Sequence, residues 1–331
     1  MSTSELLNQN QSDNATSTNL ASDLVVTSKT VMAEGVISLT LAHPERERLA
    51  PWTPGAHIDL FLPNGLIRQY SLCGDRWNNY EYRISVLREP ESKGGSEYIH
   101  DSLNVGDSVG LGGPRNHFHL VPATEYVFIA GGIGITPILP MIQQAEIQGI
   151  PWTLRYGGRA RSSMAYLDQL KEYGEKVMIF AEDEVGFIDF SPVRQPNEAG
   201  SRVYCCGPAG LLNAVTNLGQ EWPEFAIRTE RFVAAELKAP TRTEAFEVEL
   251  NRSGKSFTLM PGNSLLDAVR ANGAEVISSC TAGTCGTCEV GVLAGVPDHR
   301  DSVLSVQERA CNDRMLLCVS SASSDKLVLD L

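Results

Sequence analysis

Cys280, Cys285 and Cys288 stand in a C-x4-C-x2-C array, and Cys318 follows thirty residues after the last of them. Two irons bridged by inorganic sulfide need four thiolates, and a loop that gathers three of them has the spacing of a plant-type 2Fe–2S site. Gly283 and Gly286, with Ala282, leave room for the backbone to approach the sulfides and aim N–H groups at them. Such hydrogen bonds help set a cluster's potential. The competing reading is a structural zinc site or a set of buried thiols. Zinc usually takes paired knuckles, and Cys280 with Cys318 does not form a second knuckle. Cys311 is expected to be a spare thiol.

A second group of residues could hold a flavin. Arg68-Gln69-Tyr70-Ser71 offers a guanidinium for a phosphate, an aromatic ring to pack on an isoalloxazine, and a hydroxyl to bond near its N5. The run resembles the RxYS motif of the ferredoxin–NADP reductase superfamily; alone it would read as strand packing. Gly94-Gly95-Ser96 precedes a possible short helix (SEYIHDSL), and amides at a Gly-rich helix start form an anion site. The plain alternative is a hairpin loop.

A third group could hold a dinucleotide. Gly131-Gly132-Ile133-Gly134-Ile135-Thr136-Pro137 joins an apolar strand to a helix, so Gly132, Gly134 and Thr136 are candidates for a pyrophosphate site. Cys206-Gly207-Pro208 joins another strand to another helix. Arg159 and Arg161 follow a third strand; they could hold a 2′-phosphate or be solvated loop charges. The six histidines are scattered and none is assigned to metal or catalysis; His117 and His119 are expected on one face of a strand.

These residues need three kinds of scaffold. From about residue 23 to 121, short alternating runs (VISLTLAHP, AHIDLFL, YRISVL, DSVGL) broken by Gly, Pro and Asn predict an antiparallel β-barrel or sandwich. Strands are then expected at 126–130, 152–156, 177–181 and 203–206, with helices at 137–149, 163–173 and 211–222, which implies a parallel sheet covered on both faces. After a polar linker come FEVEL, SFTLM, a helix over 264–272 and the cysteine loop. The expected division is a disordered tail at 1–22, a flavin barrel at 23–122, a nucleotide domain at 123–234, a linker at 235–243 and an iron–sulfur domain at 244–331.

The stretches GTCGTCEV, PDHRDSVLS and MLLCVS closely resemble the phthalate dioxygenase reductase family, which includes the vanillate demethylase reductases; the resemblance runs through residues 23–331. It implies an FMN barrel, an NAD-binding α/β domain and a C-terminal α+β β-grasp ferredoxin. It also implies that Gly94, Gly95 and Ser96 help cradle the FMN phosphate, and that Cys206, with Gly207 and Pro208, lies with Ser71 where nicotinamide meets flavin N5. Phe232, in TERF, would cover the flavin; the plain alternative is ordinary core packing. Pro114-Arg115-Asn116 matches a family motif without a defined role. The implied activity is an NADH-dependent oxidoreductase passing electrons from NADH to FMN to 2Fe–2S to a terminal Rieske oxygenase, as a cytoplasmic monomer. Two alternatives stay open: an FAD-type reductase serving another acceptor protein, and a zinc-binding adaptor that kept an old fold.

Composition narrows the classes further. The chain has 331 residues, 42% hydrophobic and 20% charged, enough for two or three domains with real cores. A net charge of −13 argues against nucleic acid as partner. No apolar run is long enough for a bilayer span, and the polar N-terminus has neither the basic start nor the apolar stretch of a signal peptide. Disulfides are therefore not expected among the eight cysteines.

Overall fold

The computed structural model describes residues 23–331 except 91–93, 194–198, 219–221, 224–225, 233–236, 238 and 305. The expected tail and part of the expected linker lie outside the described residues.

The first sheet is antiparallel. It contains β1 (Asp23–Ala33), β2 (Val36–Ala42), β3 (Ala56–Phe61), β4 (Ile67–Ser71), β5 (Tyr82–Leu87) and β6 (Ser108–Asn116), in the order β4-β3-β6-β1-β2-β5. A bridge from Leu72 to Ile84 and a bond from the Cys73 N–H to the Arg83 carbonyl join the two edges. Closing the sheet removes the unpaired edges that an open one would present. A short helix, α1 (Gly95–Asp101), lies between β5 and β6. Alternation along β2 explains its near-complete burial: Ile37, Leu39 and Leu41 fill the barrel, while Val36 joins the core of the next domain.

That domain is a parallel sheet of β7 (Tyr126–Gly131), β8 (Trp152–Gly158), β9 (Val177–Ala181), β10 (Arg202–Cys206) and β11 (Ile227–Glu230), ordered β11-β10-β7-β8-β9. Its faces are covered by α2 (Ile135–Gln148), α3 (Leu167–Lys171) and α5 (Ala209–Leu218), and a short exposed helix, α4 (Glu182–Val185), follows β9. The helix expected over 163–173 is broken. Tyr166 takes a left-handed conformation with φ 66°, so only α3 remains, preceded by a 3-10 turn at Arg161–Ser163. The reason is tertiary: the Tyr166 hydroxyl reaches across to the barrel, where it lies 3.3 Å from the Cys73 thiol and bonds the Ser85 hydroxyl. Phe118, Cys73 and Val36 of the barrel share one core with β7, β8 and α2, so these two domains pack as a unit.

The C-terminal domain has β12 (Phe246–Leu250), β13 (Lys255–Leu259), β14 (Glu289–Ala294), β16 (Arg314–Leu316) and β18 (Lys326–Leu329), ordered β13-β12-β18-β14-β16, with a small pair β15 (Pro297–Asp298) and β17 (Ser321–Ala322). The parallel pair β12 and β18 brackets α6 (Leu265–Ala271), the arrangement of a β-grasp fold. The Ser264 hydroxyl accepts from the Asp267 N–H at 3.1 Å, a cap worth about 1 kcal/mol. A last helix, α7 (Val306–Cys311), precedes β16. Among the described residues no helix is long and apolar enough to cross a membrane.

Candidate functional site

The cysteine loop runs between α6 and β14. Cys285 and Cys288 are buried, Cys280 and Cys318 partly so, and Cys311 is exposed and apart. Backbone N–H groups point at sulfur: Ala282 and Thr284 at Cys280 (3.3 and 3.5 Å) and Thr287 at Cys285 (3.4 Å). Amides aimed at sulfur in this way suit metal-bound thiolates. Among the described residues, no three His, Cys, Asp or Glu close round a single ion. Cys280 neighbours both Cys285 and Cys318, and Cys318 also neighbours Cys288, so the four thiols form one continuous group. The PDHRDSVLS stretch braces the loop. Buried Asp301 accepts from the Val303 and Leu304 N–H groups (2.9 and 2.8 Å), and the Ser302 N–H donates to the Gly283 carbonyl at 2.8 Å.

Beside this loop lies a cleft of about 620 Å³, with walls from all three domains. The barrel contributes Arg68, Gln69, Tyr70, Ser71 and Ser96; the parallel-sheet domain Ile133, Thr136, Glu230 and Phe232; and the C-terminal domain Ser279, Cys280 and Thr284. Arg68 lies flat on Gly95, where any Cβ would collide with its guanidinium, so RQYS and the Gly94-Gly95-Ser96 stretch form one surface. Ser96 also accepts from the Glu89 N–H at 3.2 Å. Three buried polar atoms facing this cleft have no protein partner: Ser71 Oγ, His57 Nε2 and Ser279 Oγ. Together they leave unused hydrogen-bonding capacity in the cleft, as a site for a polar ligand would. Burial pushes the Tyr70 hydroxyl well above its usual range, so it stays protonated. The residues present therefore fit a flavin. Gln69 departs from expectation in one respect: its amide is bonded to Asp59 at 2.8 Å.

The glycine loop and the CGP turn follow β7 and β10, which are adjacent, and the chain goes from β7 outward to β8 and β9 before returning to β10. Such a reversal of strand order opens a crevice at the strand C-termini. Gly132–Gly134 form a 3-10 turn ahead of α2, Thr136 Oγ bonds the Ile133 carbonyl at 2.9 Å, and Gly134 packs on the Cys206 carbonyl. Gly207 and Pro208 lie against Gly131. Cys206 is fully buried and does not itself line the cleft; its thiol, raised by burial, lies 3.9 Å from the Glu230 carboxylate, which does. Desolvation lifts Glu230 from 4.5 to about 8. Phe232 is 41% exposed at the cleft rather than packed in a core.

Arg159 is exposed after β8. Arg161 is held as a fork by Glu184 (3.0, 3.2 and 2.7 Å), in a first turn that also carries Glu182 and Asp183.

Some expectations change here. β6 ends at Asn116, whose side chain accepts from the Phe118 N–H at 2.8 Å. His117 and His119 therefore lie in a turn, not on a strand face. Glu230, His57 and Ser279 were not marked by the sequence. For Glu230 a signal existed: it shares a face with Phe232 two residues on.

Two family profiles match: residues 128–217 the oxidoreductase NAD-binding domain, and 248–323 the 2Fe-2S iron-sulfur cluster binding domain. Phenoxybenzoate dioxygenase subunit beta of Ectopseudomonas oleovorans is 44% identical over 301 residues, 90% of this chain and 94% of that one. The solved structure of phthalate dioxygenase reductase, described as modular for electron transfer from pyridine nucleotides to 2Fe–2S, is 36% identical with TM-score 0.68, covering 93% of this chain and 97% of that one. An intact type IV self-sufficient cytochrome P450 monooxygenase is 39% identical with TM-score 0.90; the match covers 94% of this chain and 41% of that longer one.

Proposed function

The chain belongs to the phthalate dioxygenase reductase family, and on that premise we propose that it takes electrons from NADH, through FMN and a 2Fe–2S cluster, to the terminal oxygenase of a two-component Rieske system. The observation that carries this reading is the shared cleft, where RQYS, the Gly132–Thr136 turn and the Cys280 loop face one another. In this reading residues 23–122 hold FMN, 123–234 hold NADH and 244–331 hold the cluster on Cys280, Cys285, Cys288 and Cys318.

A flavin supplies the exchange between hydride donation and single-electron transfer, and a 2Fe–2S cluster the one-electron exit. The chain's own residues bind and orient. Arg68 and the amides at Gly94, Gly95 and Ser96 take the phosphate. Ser71 Oγ, unpartnered, bonds the flavin edge. Phe232 covers the ring and keeps water from the reacting face. Gly132, Gly134 and Thr136, with Gly207 and Pro208, receive the dinucleotide. Glu230, protonated below about pH 8, offers a proton for hydrogen bonding where Cys206 backs it.

NADH is favoured over NADPH by charge. The arginine best placed for a 2′-phosphate, Arg161, is forked to Glu184, and Glu182 and Asp183 add negative charge beside it. The protein is proposed to act as a monomer.

The test is an anaerobic titration of purified protein with NADH, followed by visible absorption, with the released flavin identified by chromatography. Bleaching of flavin and cluster bands with release of FMN supports the route. Release of FAD would point to another acceptor protein, and a colourless protein that resists reconstitution with iron, sulfide and flavin would refute it.

A further inference from the structure

Pro114-Arg115-Asn116 has no role in the reading above, yet Arg115 sits at the junction between barrel and iron–sulfur domain. The junction is built on Asp59 of β3, a carboxylate with 1% exposure. Asp59 lies directly opposite Gln69 in the β3–β4 pairing, and the β3–β6 pairing shifts register between His57, which is opposite Arg115, and Asp59. Its Oδ2 is ion-paired with Arg115, and its Oδ1 accepts from the Gln69 amide at 2.8 Å. A buried charge is tolerated only when paired and hydrogen-bonded, so Asp59 fixes both partners in place.

Both partners then reach across the junction to one atom. Arg115 donates to Thr287 Oγ at 3.1 Å and Gln69 to the same oxygen at 3.5 Å. Thr287 stands between two cluster cysteines, and its own N–H points at Cys285 sulfur. A hydroxyl has two lone pairs and one proton. With Arg115 and Gln69 on the lone pairs, the proton is left to turn toward the sulfur that the Thr287 N–H already faces. Next door, His117 packs so closely on Gly286 (φ 73°) that any Cβ there would collide with the ring.

We propose that Asp59, Arg115 and Gln69 form a clasp that holds the cluster loop against the flavin barrel through Thr287 and raises the cluster's reduction potential while the two domains are docked. The physical basis is that hydrogen bonds and positive charge near cluster sulfur stabilise the more negative, reduced state. Docked, the cluster is the better electron acceptor. Released from the barrel, Thr287 loses the groups that orient its proton, the guanidinium is left behind, and the cluster becomes the better donor. Arg115, Gln69 and Thr287 are positioning residues, acting through Cys285.

The inference rests on the cluster reading, and one experiment separates the two. The midpoint of the cluster is measured by EPR-monitored potentiometry on the full chain, for wild type, Thr287→Val, Thr287→Ser and Arg115→Met. T287V and R115M should each shift the one-electron equilibrium about tenfold toward the oxidised form, a fall of about 59 mV. T287S, which keeps the hydroxyl, should stay with wild type. If R115M does not load its cofactors, the double variant D59N/R115Q, which leaves no buried charge unpaired, takes its place. An unmoved midpoint in both T287V and the arginine variant overturns the clasp. So does a fall in T287V alone, because the hydroxyl would then act without the barrel. Absence of any reduced-cluster signal in wild type would instead refute the cluster itself.

Discussion

Replacing Glu230 with Gln should make the protein progressively more stable than wild type as pH rises. In the folded chain burial lifts this carboxyl from 4.5 to about 8. Such a group takes up a proton on folding. Between these two values the native state binds more protons than the unfolded state, so stability falls as pH rises and is level above pH 8. Each pH unit crossed in that window costs about 1.4 kcal/mol, which sets an upper bound of roughly 5 kcal/mol over the whole of it. Glu230 keeps some contact with the open cleft, so screening reduces this, and the gap between variant and wild type should grow by about 1–3 kcal/mol between pH 5.5 and 8. Gln keeps the shape and removes the proton. The assay is thermal unfolding of flavin-depleted wild type and E230Q from pH 5 to 9. At about 2–4 °C per kcal/mol, the Tm difference should widen by several degrees and then level off. A difference that is constant across pH would show that Glu230 is ionised in the folded protein, and would remove the proton assigned to it at the nicotinamide.

Three further outcomes follow from the geometry. Cys280→Ser should abolish the cluster's absorption and EPR signal while FMN is retained in chromatography, because Cys280 touches the flavin cleft only at its wall; equal loss from Cys311→Ser would mean that the ligand set is misassigned. Glu184→Ala frees Arg161 from its fork, and the ratio of kcat/KM for NADH to that for NADPH should narrow about tenfold, the effect of one charge-assisted phosphate contact; an unchanged ratio would put the 2′ position elsewhere. Tyr166→Phe leaves the Cys73 and Ser85 groups short of a partner at the barrel–nucleotide junction, which should cost about 1–2 kcal/mol in urea unfolding; no loss would show that the contact is incidental.

What the sequence revealed was local. The C-x4-C-x2-C array, the RQYS strand and the glycine turn each lie within one loop or one strand-to-helix junction, where spacing alone places the groups. Strand Val177–Ala181 and the helix expected over 264–272, found at Leu265–Ala271, were readable for the same reason. The remainder depended on contacts between distant residues. The helix expected over 163–173 failed because Tyr166 bends to reach Cys73, 93 residues away. Gln69 lines the cleft with its strand neighbours, but its amide is also bonded to Asp59, its cross-strand partner on β3, a pairing that no periodicity shows. Glu230 ends β11, a strand not expected from the sequence, and only the burial created by β10 and Cys206 makes it unusual. His117 and His119 alternate as strand residues would, but the Asn116 turn intervenes.

The wall that Ser279–Thr284 contribute to the cleft has a kinetic consequence. A cofactor lodged there would have the cysteine loop along one side, so contacts that hold this loop to the barrel should also lengthen the cofactor's dwell. The rate at which flavin is lost on dilution would then report how firmly the loop is held.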